Sequence, residues 1–164
     1  MSGVTQDSAR SRRWRRSIVF PRGCEYEEGG RHLSRLLEEL DAFAETVKGL
    51  DRKCAGDLRL VCDELAANVL RHASKAGDAT VEIEMWVEAA TVHLLIRDNG
   101  PAFDSFNQPD PYLGPDVEKR RVGGLGLYLV KKLFPRARQV REGAWNVAEV
   151  ECLLGSAKDR KMEA

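Results

Sequence analysis

The chain has 164 residues, enough for one domain with a real core. It is 43% hydrophobic and 32% charged with a formal net charge of zero. That is a soluble globular composition, and the balance argues against nucleic acid as a direct partner, because phosphate binding draws on excess Lys and Arg. No apolar run approaches about 18 residues, so no membrane span is expected.

Residues 1–16 hold five Arg against one Asp and few apolar side chains. They read as a flexible basic tail, and no apolar stretch follows them as a secretory signal would require. Four cysteines (Cys24, Cys54, Cys62, Cys152) lack CxxC spacing, so neither a metal site nor a disulfide framework is expected. Cys62 and Cys152 lie in apolar patterns and read as core. A cytoplasmic, reduced protein follows, with one domain over residues 17–155 and a frayed end at 156–164.

Residues 17–23 are a short strand candidate. Leu33, Leu36, Leu37, Leu40, Phe43, Ala44 and Val47 follow the three-four spacing of an amphipathic helix over roughly 29–48. A second helix is predicted over 55–73, with Leu58, Val61, Cys62, Leu65 and Val69 on one side. In ATVEIEMWVE, Val81, Ile83, Met85 and Val87 alternate with Glu82, Glu84, Trp86 and Glu88. That is a half-buried strand with one solvated face. Trp86 on that face reads as a partner contact, or as a site capped by an edge or packed tail. A turn at 88–91 leads to a partner strand with Val92, Leu94 and Ile96 inward. Residues 99–123 are broken by Gly and Pro and form a long loop, which in a compact domain is functional or disordered. A glycine-opened helix follows at 124–134, and two closing strands flank Glu142-Gly143. The order of elements predicts an α+β sandwich of two layers, with a mixed, mostly antiparallel sheet and helices on one face.

The second helix carries a stripe that its core does not explain. In DELAANVLRH, Glu64, Asn68 and His72 recur every fourth residue. On a helical wheel they lie roughly 80° from the apolar side, drifting only about 40° per step. They therefore belong at the edge of the core, where a cleft would be. Asn is a poor helix-interior residue and a half-buried carboxylate needs a partner. A carboxylate and a carboxamide oxygen one turn apart suit a hard divalent cation, or a water between cation and carboxylate. Taken singly, each of the three also fits a solvated stripe with a local hydrogen bond, and His72 a purely structural role.

Two further clusters narrow the reading. RDNGPAFD puts Asp98 at a strand end, followed by the tight turn Asn99-Gly100-Pro101. VGGLGLYLV places Gly123, Gly124 and Gly126 at a helix start, where backbone N–H groups and the helix dipole favour an anion. It is neither a P-loop, lacking GK[ST], nor a dinucleotide fingerprint, since no βαβ strand precedes it.

In this order and spacing the three clusters resemble the GHKL ATPase superfamily and its Bergerat ATP-binding fold, and most closely the small bacterial anti-sigma factor serine kinases. The resemblance covers about residues 17–155. It implies Glu64 as general base, Asn68 as magnesium ligand, Asp98 as acceptor for the adenine amino group with Gly100 beside the base, and Gly123, Gly124, Leu125 and Gly126 as the backbone around the phosphates. Residues 104–122 would be the ATP lid, with Arg120 and Arg121 as its cations. ATP and Mg2+ are the implied cofactors. A sigma factor and a small anti-anti-sigma (STAS-type) protein are the implied partners, and a homodimer the implied assembly. Ala102 stands where the pattern usually carries a second glycine.

Two other functions stay open on the residues alone: a nucleotide-gated binding module without kinase activity, and the catalytic domain of a histidine kinase. An intact Glu64 favours the kinase, because a pure binder needs no base. A histidine kinase would bring a helical dimerisation segment with a phosphoacceptor His, which the sequence does not offer.

Overall fold

A computed structural model describes residues 12–111 and 125–155. Among the described residues, five strands and three α-helices form two layers. Strands β1 (Arg13–Phe20), β2 (Ala79–Glu88), β3 (Thr91–Asp98), β4 (Arg138–Glu142) and β5 (Trp145–Leu153) make one sheet in the order β1-β2-β3-β5-β4. Helices α1 (Tyr26–Glu45), α2 (Arg52–Asn68) and α3 (Leu125–Leu133) supply the other layer.

The helices form where capping and spacing favour them. Glu27 and Glu28 sit in the first turn of α1, where the helix dipole favours negative charge. The α1 stripe Leu33, Leu36, Leu37, Leu40 and Ala44 is buried. Asp51 caps α2, its side chain accepting a 2.7 Å bond from the Cys54 N–H. Val81, Ile83 and Met85 of β2 and Val92 and Leu94 of β3 are wholly buried. They form the core with Phe20, Leu40, Leu58 and Val61.

The α+β reading holds, with two corrections to its sheet. Every described pairing is antiparallel, so the sheet is not mixed. The α3 crossover returns β4 in the direction of β3, which would have made a parallel pair; β5 folds back and is inserted between them. The first strand also begins at Arg13, four residues inside the expected tail. Trp14 points inward, 8% exposed and 6.4 Å from the Phe43 ring of α1. Arg13 and Arg15 point outward to Glu84 and Glu82 of β2. Arg13 and Arg15, two of the arginines that suggested a tail, are the solvated positions of an alternating strand. Each exposed ion pair contributes at most about 1 kcal/mol; the buried indole contributes more.

Trp86 on the same outer face stacks on His93 at 4.9 Å with the Arg13 guanidinium 5.2 Å from its ring. It is packed by its own sheet. Cys54 of α2 and Cys152 of β5, 98 residues apart, bring their sulfurs together between helix and sheet. Cys62 is a buried free thiol whose pKa is pushed far above its usual range by burial, which makes it an inert core residue.

Candidate functional site

The site is built where β3 ends against the last turn of α2. The Asp98 carboxylate oxygen Oδ1 accepts from the Gly100 N–H at 2.9 Å and from Asn146 Nδ2 at 2.8 Å. Asn146 is 4% exposed and pairs directly with Asp98 across the β3–β5 register. Its own Oδ1 accepts from Arg141 Nη1 at 2.8 Å, and the same nitrogen donates to the Gly100 carbonyl at 2.8 Å. Burial raises the Asp98 pKa above its ordinary value; bonds from Asn146 and Gly100 and the Arg141 charge oppose the rise. Gly100 is needed for space: a Cβ there would stand 2.8 Å from Asp98 Oδ1 and 2.9 Å from the Ala73 Cβ. Ala102 does not take a positive φ, so the alanine costs the turn no strain.

Asp98, Gly100 and Asn68 line one cavity of about 940 Å³, at the upper end of the range of ligand sites. Its apolar walls include Val69, Ile96, Phe103 and Leu127, and Lys131 enters from α3. Lys131 donates to the Gln108 carbonyl at 2.8 Å and pairs with Asp110. It thereby ties the described start of the 104–122 loop to α3 and holds the Asp110 pKa down. Ser105 is buried, its N–H bonded to Gln139 Oε1 at 2.7 Å.

Glu64 faces elsewhere. It lines a second cavity of about 850 Å³ with Tyr26, Arg71, Lys75 and Gly126. Burial raises the Glu64 pKa first, Arg71 opposes the rise and Asp63 adds to it. Gly126 in the first turn of α3 abuts this carboxylate: a Cβ built there would fall onto the Glu64 carboxyl group. Arg71 and His72 border both cavities. Arg71 Nη1 donates to Asn68 Oδ1 at 3.0 Å. The Arg71 guanidinium thus sits on the carboxamide oxygen that was expected to meet a metal ion.

The helix expected over 55–73 changes character at this point. It is α-helical to Asn68 and then makes a π-turn, Val69–Ala73. Such wider turns are frequent at functional sites. Leu70 packs so tightly on α1 that a Cβ at Gly29 would meet its Cδ1 and Cδ2. Leu125 opens α3 and is 52% exposed, bordering the second cavity. Arg120, Arg121, Gly123 and Gly124, and lid residues 112–122, lie outside the described residues.

Four residues of the site were not foreseen: Asn146, Arg141, Lys131 and Arg71. Asn146 and Arg141 become visible only with the strand register. Arg71 lay within DELAANVLRH, three residues after Asn68, a spacing that places side chains together on a helix.

A model of the histidine kinase-like ATPase domain family matches residues 28–150. Among curated proteins, the serine-protein kinase RsbW of Bacillus subtilis is 31% identical over 109 residues, covering 63% of this chain and 68% of that protein. RsbW of Listeria innocua is 34% identical over 93 residues, and RsbW of Listeria monocytogenes 31% over 91 residues, each covering 52% of this chain and 58% of the relative. The chain therefore matches a little over half the length of the Listeria relatives. The chain belongs to the histidine kinase-like ATPase domain family, of GHKL type, and is similar within it to the RsbW serine-protein kinases.

Proposed function

We propose that the chain is an ATP-dependent serine/threonine-protein kinase of the anti-sigma type, which phosphorylates a small STAS-type antagonist and sequesters a sigma factor. The single observation that carries the kinase reading is that Glu64 borders its own cavity, next to the one that holds Asp98 and Asn68. A nucleotide-binding module has no use for a half-buried carboxylate on a second cavity that shares Arg71 and His72 with the first. The similarity to proteins named serine-protein kinase RsbW supports the same reading.

ATP would lie in the larger cavity. Both bonds to Asp98 go to Oδ1, so Oδ2 is the oxygen left to accept from an adenine amino group. Gly100 keeps the floor beside it low. Asn68 Oδ1 would hold Mg2+, which supplies charge neutralisation on the phosphate oxygens. Arg120, Arg121 and the backbone of Gly123 and Gly124 are proposed to hold the triphosphate. Glu64 accepts the proton of the acceptor hydroxyl as its oxygen bonds to the γ-phosphorus, while the bond from that phosphorus to the β–γ bridging oxygen breaks and ADP leaves. The transition state is loose, so orienting the hydroxyl is the larger share of the base's work. The burial that raises its pKa also makes it a better proton acceptor. A homodimer and a cytoplasmic setting complete the proposal.

The test is Mg-ATP binding by calorimetry, together with transfer of labelled γ-phosphate to STAS-type antagonist proteins from the same genome. Binding with transfer to a serine or threonine of one antagonist is expected. Tight binding of both Mg-ATP and an antagonist, with no transfer, would overturn the kinase reading.

A further inference from the structure

The face of the sheet turned away from the helices carries polar side chains that the nucleotide site does not use. Trp86, His93 and Glu151 form a row across β2, β3 and β5, because Trp86 pairs with His93 and His93 with Glu151. Glu149 stands two residues before Glu151 and so shares its face of β5. The His93 ring stacks on Trp86 at 4.9 Å with 9° between the planes, and the side chain is only 15% exposed. The stack fixes the ring and leaves Nδ1 directed at β5, 3.3 Å from Glu151 Oε1. Nδ1 is shut off from solvent, yet it has no hydrogen-bond partner among the described residues. One ligand atom from each of His93, Glu149 and Glu151 falls within 4.8 Å of the other two.

We propose that His93, Glu149 and Glu151 form a site for one divalent cation of the zinc type, separate from nucleotide binding and phosphoryl transfer. A neutral imidazole nitrogen and a carboxylate oxygen both present lone pairs, so two such atoms in contact need a positive centre between them. A proton does not serve here, because the pair misses hydrogen-bond geometry. Zn–N and Zn–O bonds of about 2.0–2.2 Å place two tetrahedral ligands roughly 3.3–3.4 Å apart. His93 Nδ1 and Glu151 Oε1 already have that separation. Glu149 completes the set by a side-chain rotation away from Arg138, whose Nε donates to its Oε2 at 2.9 Å. Arg138 is 73% exposed, and exposed ion pairs give way easily. One imidazole with two carboxylates suits zinc and its transition-series neighbours, whereas Mg2+ and Ca2+ prefer oxygen ligands alone. Water fills the remaining position. A bound ion joins β3 to β5, the strands that present Asp98 and Asn146 on the opposite face.

The probe is Zn2+ alone, titrated calorimetrically into the untagged full chain in excess Mg2+ and without nucleotide. Wild type is expected to bind one Zn2+ at this site and to melt at a higher temperature with the ion than without it. Glu149→Gln and Glu151→Gln should each weaken binding at least about tenfold, the least that losing even a ligand's supporting partner costs. Glu151 is 54% exposed, so its metal-free melting curve should stay near wild type and keep the test valid if His93→Gln folds poorly. His93→Gln should abolish binding at the site. Ni2+ adds a positional readout, because it quenches the fluorescence of an indole beside it. Trp86→Phe should lose most of that quenching and keep the affinity. Zn2+ affinity unchanged in Glu151→Gln, no Zn2+ binding at micromolar concentrations, or full Ni2+ quenching in Trp86→Phe each overturns the proposal. Neither nucleotide nor acceptor enters these measurements, so their outcome is independent of the kinase reading.

Discussion

Gly126 and Glu64 occupy adjoining space so closely that residue 126 has no room for a side chain. The first turn of α3 and the middle of α2 meet where residue 126 carries no side chain. Ordinarily a helical Gly→Ala substitution stabilises by roughly 0.5–1 kcal/mol, because glycine loses more backbone entropy on folding. Here the Glu64 carboxylate would have to swing aside first, so Gly126→Ala should forgo most of that gain. It should also lower phosphoryl transfer by displacing the carboxylate. Urea unfolding of Gly126→Ala, Glu64→Ala and the double variant reads the relationship directly, with the double variant recovering stability. A stabilised Gly126→Ala would show that the two residues do not compete for space.

Asp98 illustrates a group kept for binding at a cost to the fold. Its pKa is raised in the folded state by burial. A carboxyl group with a raised folded pKa binds its proton more tightly in the native than in the unfolded chain. It therefore weakens the fold above its folded pKa, and stability returns as pH falls through that value. Asp98→Asn removes the desolvated charge but keeps an acceptor for the Gly100 N–H. We expect the ligand-free variant to be at least as stable as wild type in urea. Loss of a charge-assisted bond should cost ATP binding about 1.5–3 kcal/mol, roughly ten- to a hundredfold in Kd. Calorimetry showing unchanged ATP affinity would remove Asp98 from the nucleotide site.

The parts of this molecule that were legible in the sequence are those set by local periodicity. The α1 stripe and the alternation of β2 needed only the geometry of one element. The beginning of β1 was hidden by its arginines, because an alternating strand and a basic tail look alike until Glu82 and Glu84 are known to lie opposite. Asn146 and Arg141 could not be found because their roles depend on the β3–β5 and β4–β5 registers, and the Cys54–Cys152 pair on the packing of α2 over β5. Gly126 was expected to serve a phosphate, and its neighbour in the fold is the Glu64 carboxylate. The sequence signal was the same glycine, and only the packing of α3 on α2 says what it makes room for.

The β2–β3 hairpin contains a conformational cost unrelated to function. Glu88 pairs with Thr91, leaving a two-residue turn in which Ala89 has φ 51°. An alanine in the left-handed region costs about 1–2 kcal/mol, part of which glycine returns as extra unfolded-state entropy. Ala89→Gly should therefore stabilise the protein by about 0.5–1 kcal/mol with kinetics and nucleotide affinity unchanged, as a urea midpoint shift at constant slope would show. A loss of stability would mean that the turn does not hold this conformation in solution.

The charge around Glu64 predicts a pH profile. The base works only when ionised, and burial raises its pKa while Arg71 holds the rise in check. The acidic limb of kcat should accordingly lie above the ordinary glutamate value of about 4.3, and Arg71→Ala should move it to still higher pH. Glu64→Gln keeps the shape of the side chain and removes the proton acceptor. It should lower transfer by roughly 10²–10⁴ and flatten that limb, with little change in nucleotide affinity because Glu64 borders the other cavity. Asn68→Ala, by contrast, should weaken Mg-ATP while leaving metal-free ATP affinity nearly intact, since the oxygen it removes is the proposed metal ligand. Paired titrations with and without Mg2+ separate the two roles. If Glu64→Gln and wild type transfer phosphate at the same rate across the acidic range, the proton acceptor lies elsewhere on the cavity wall.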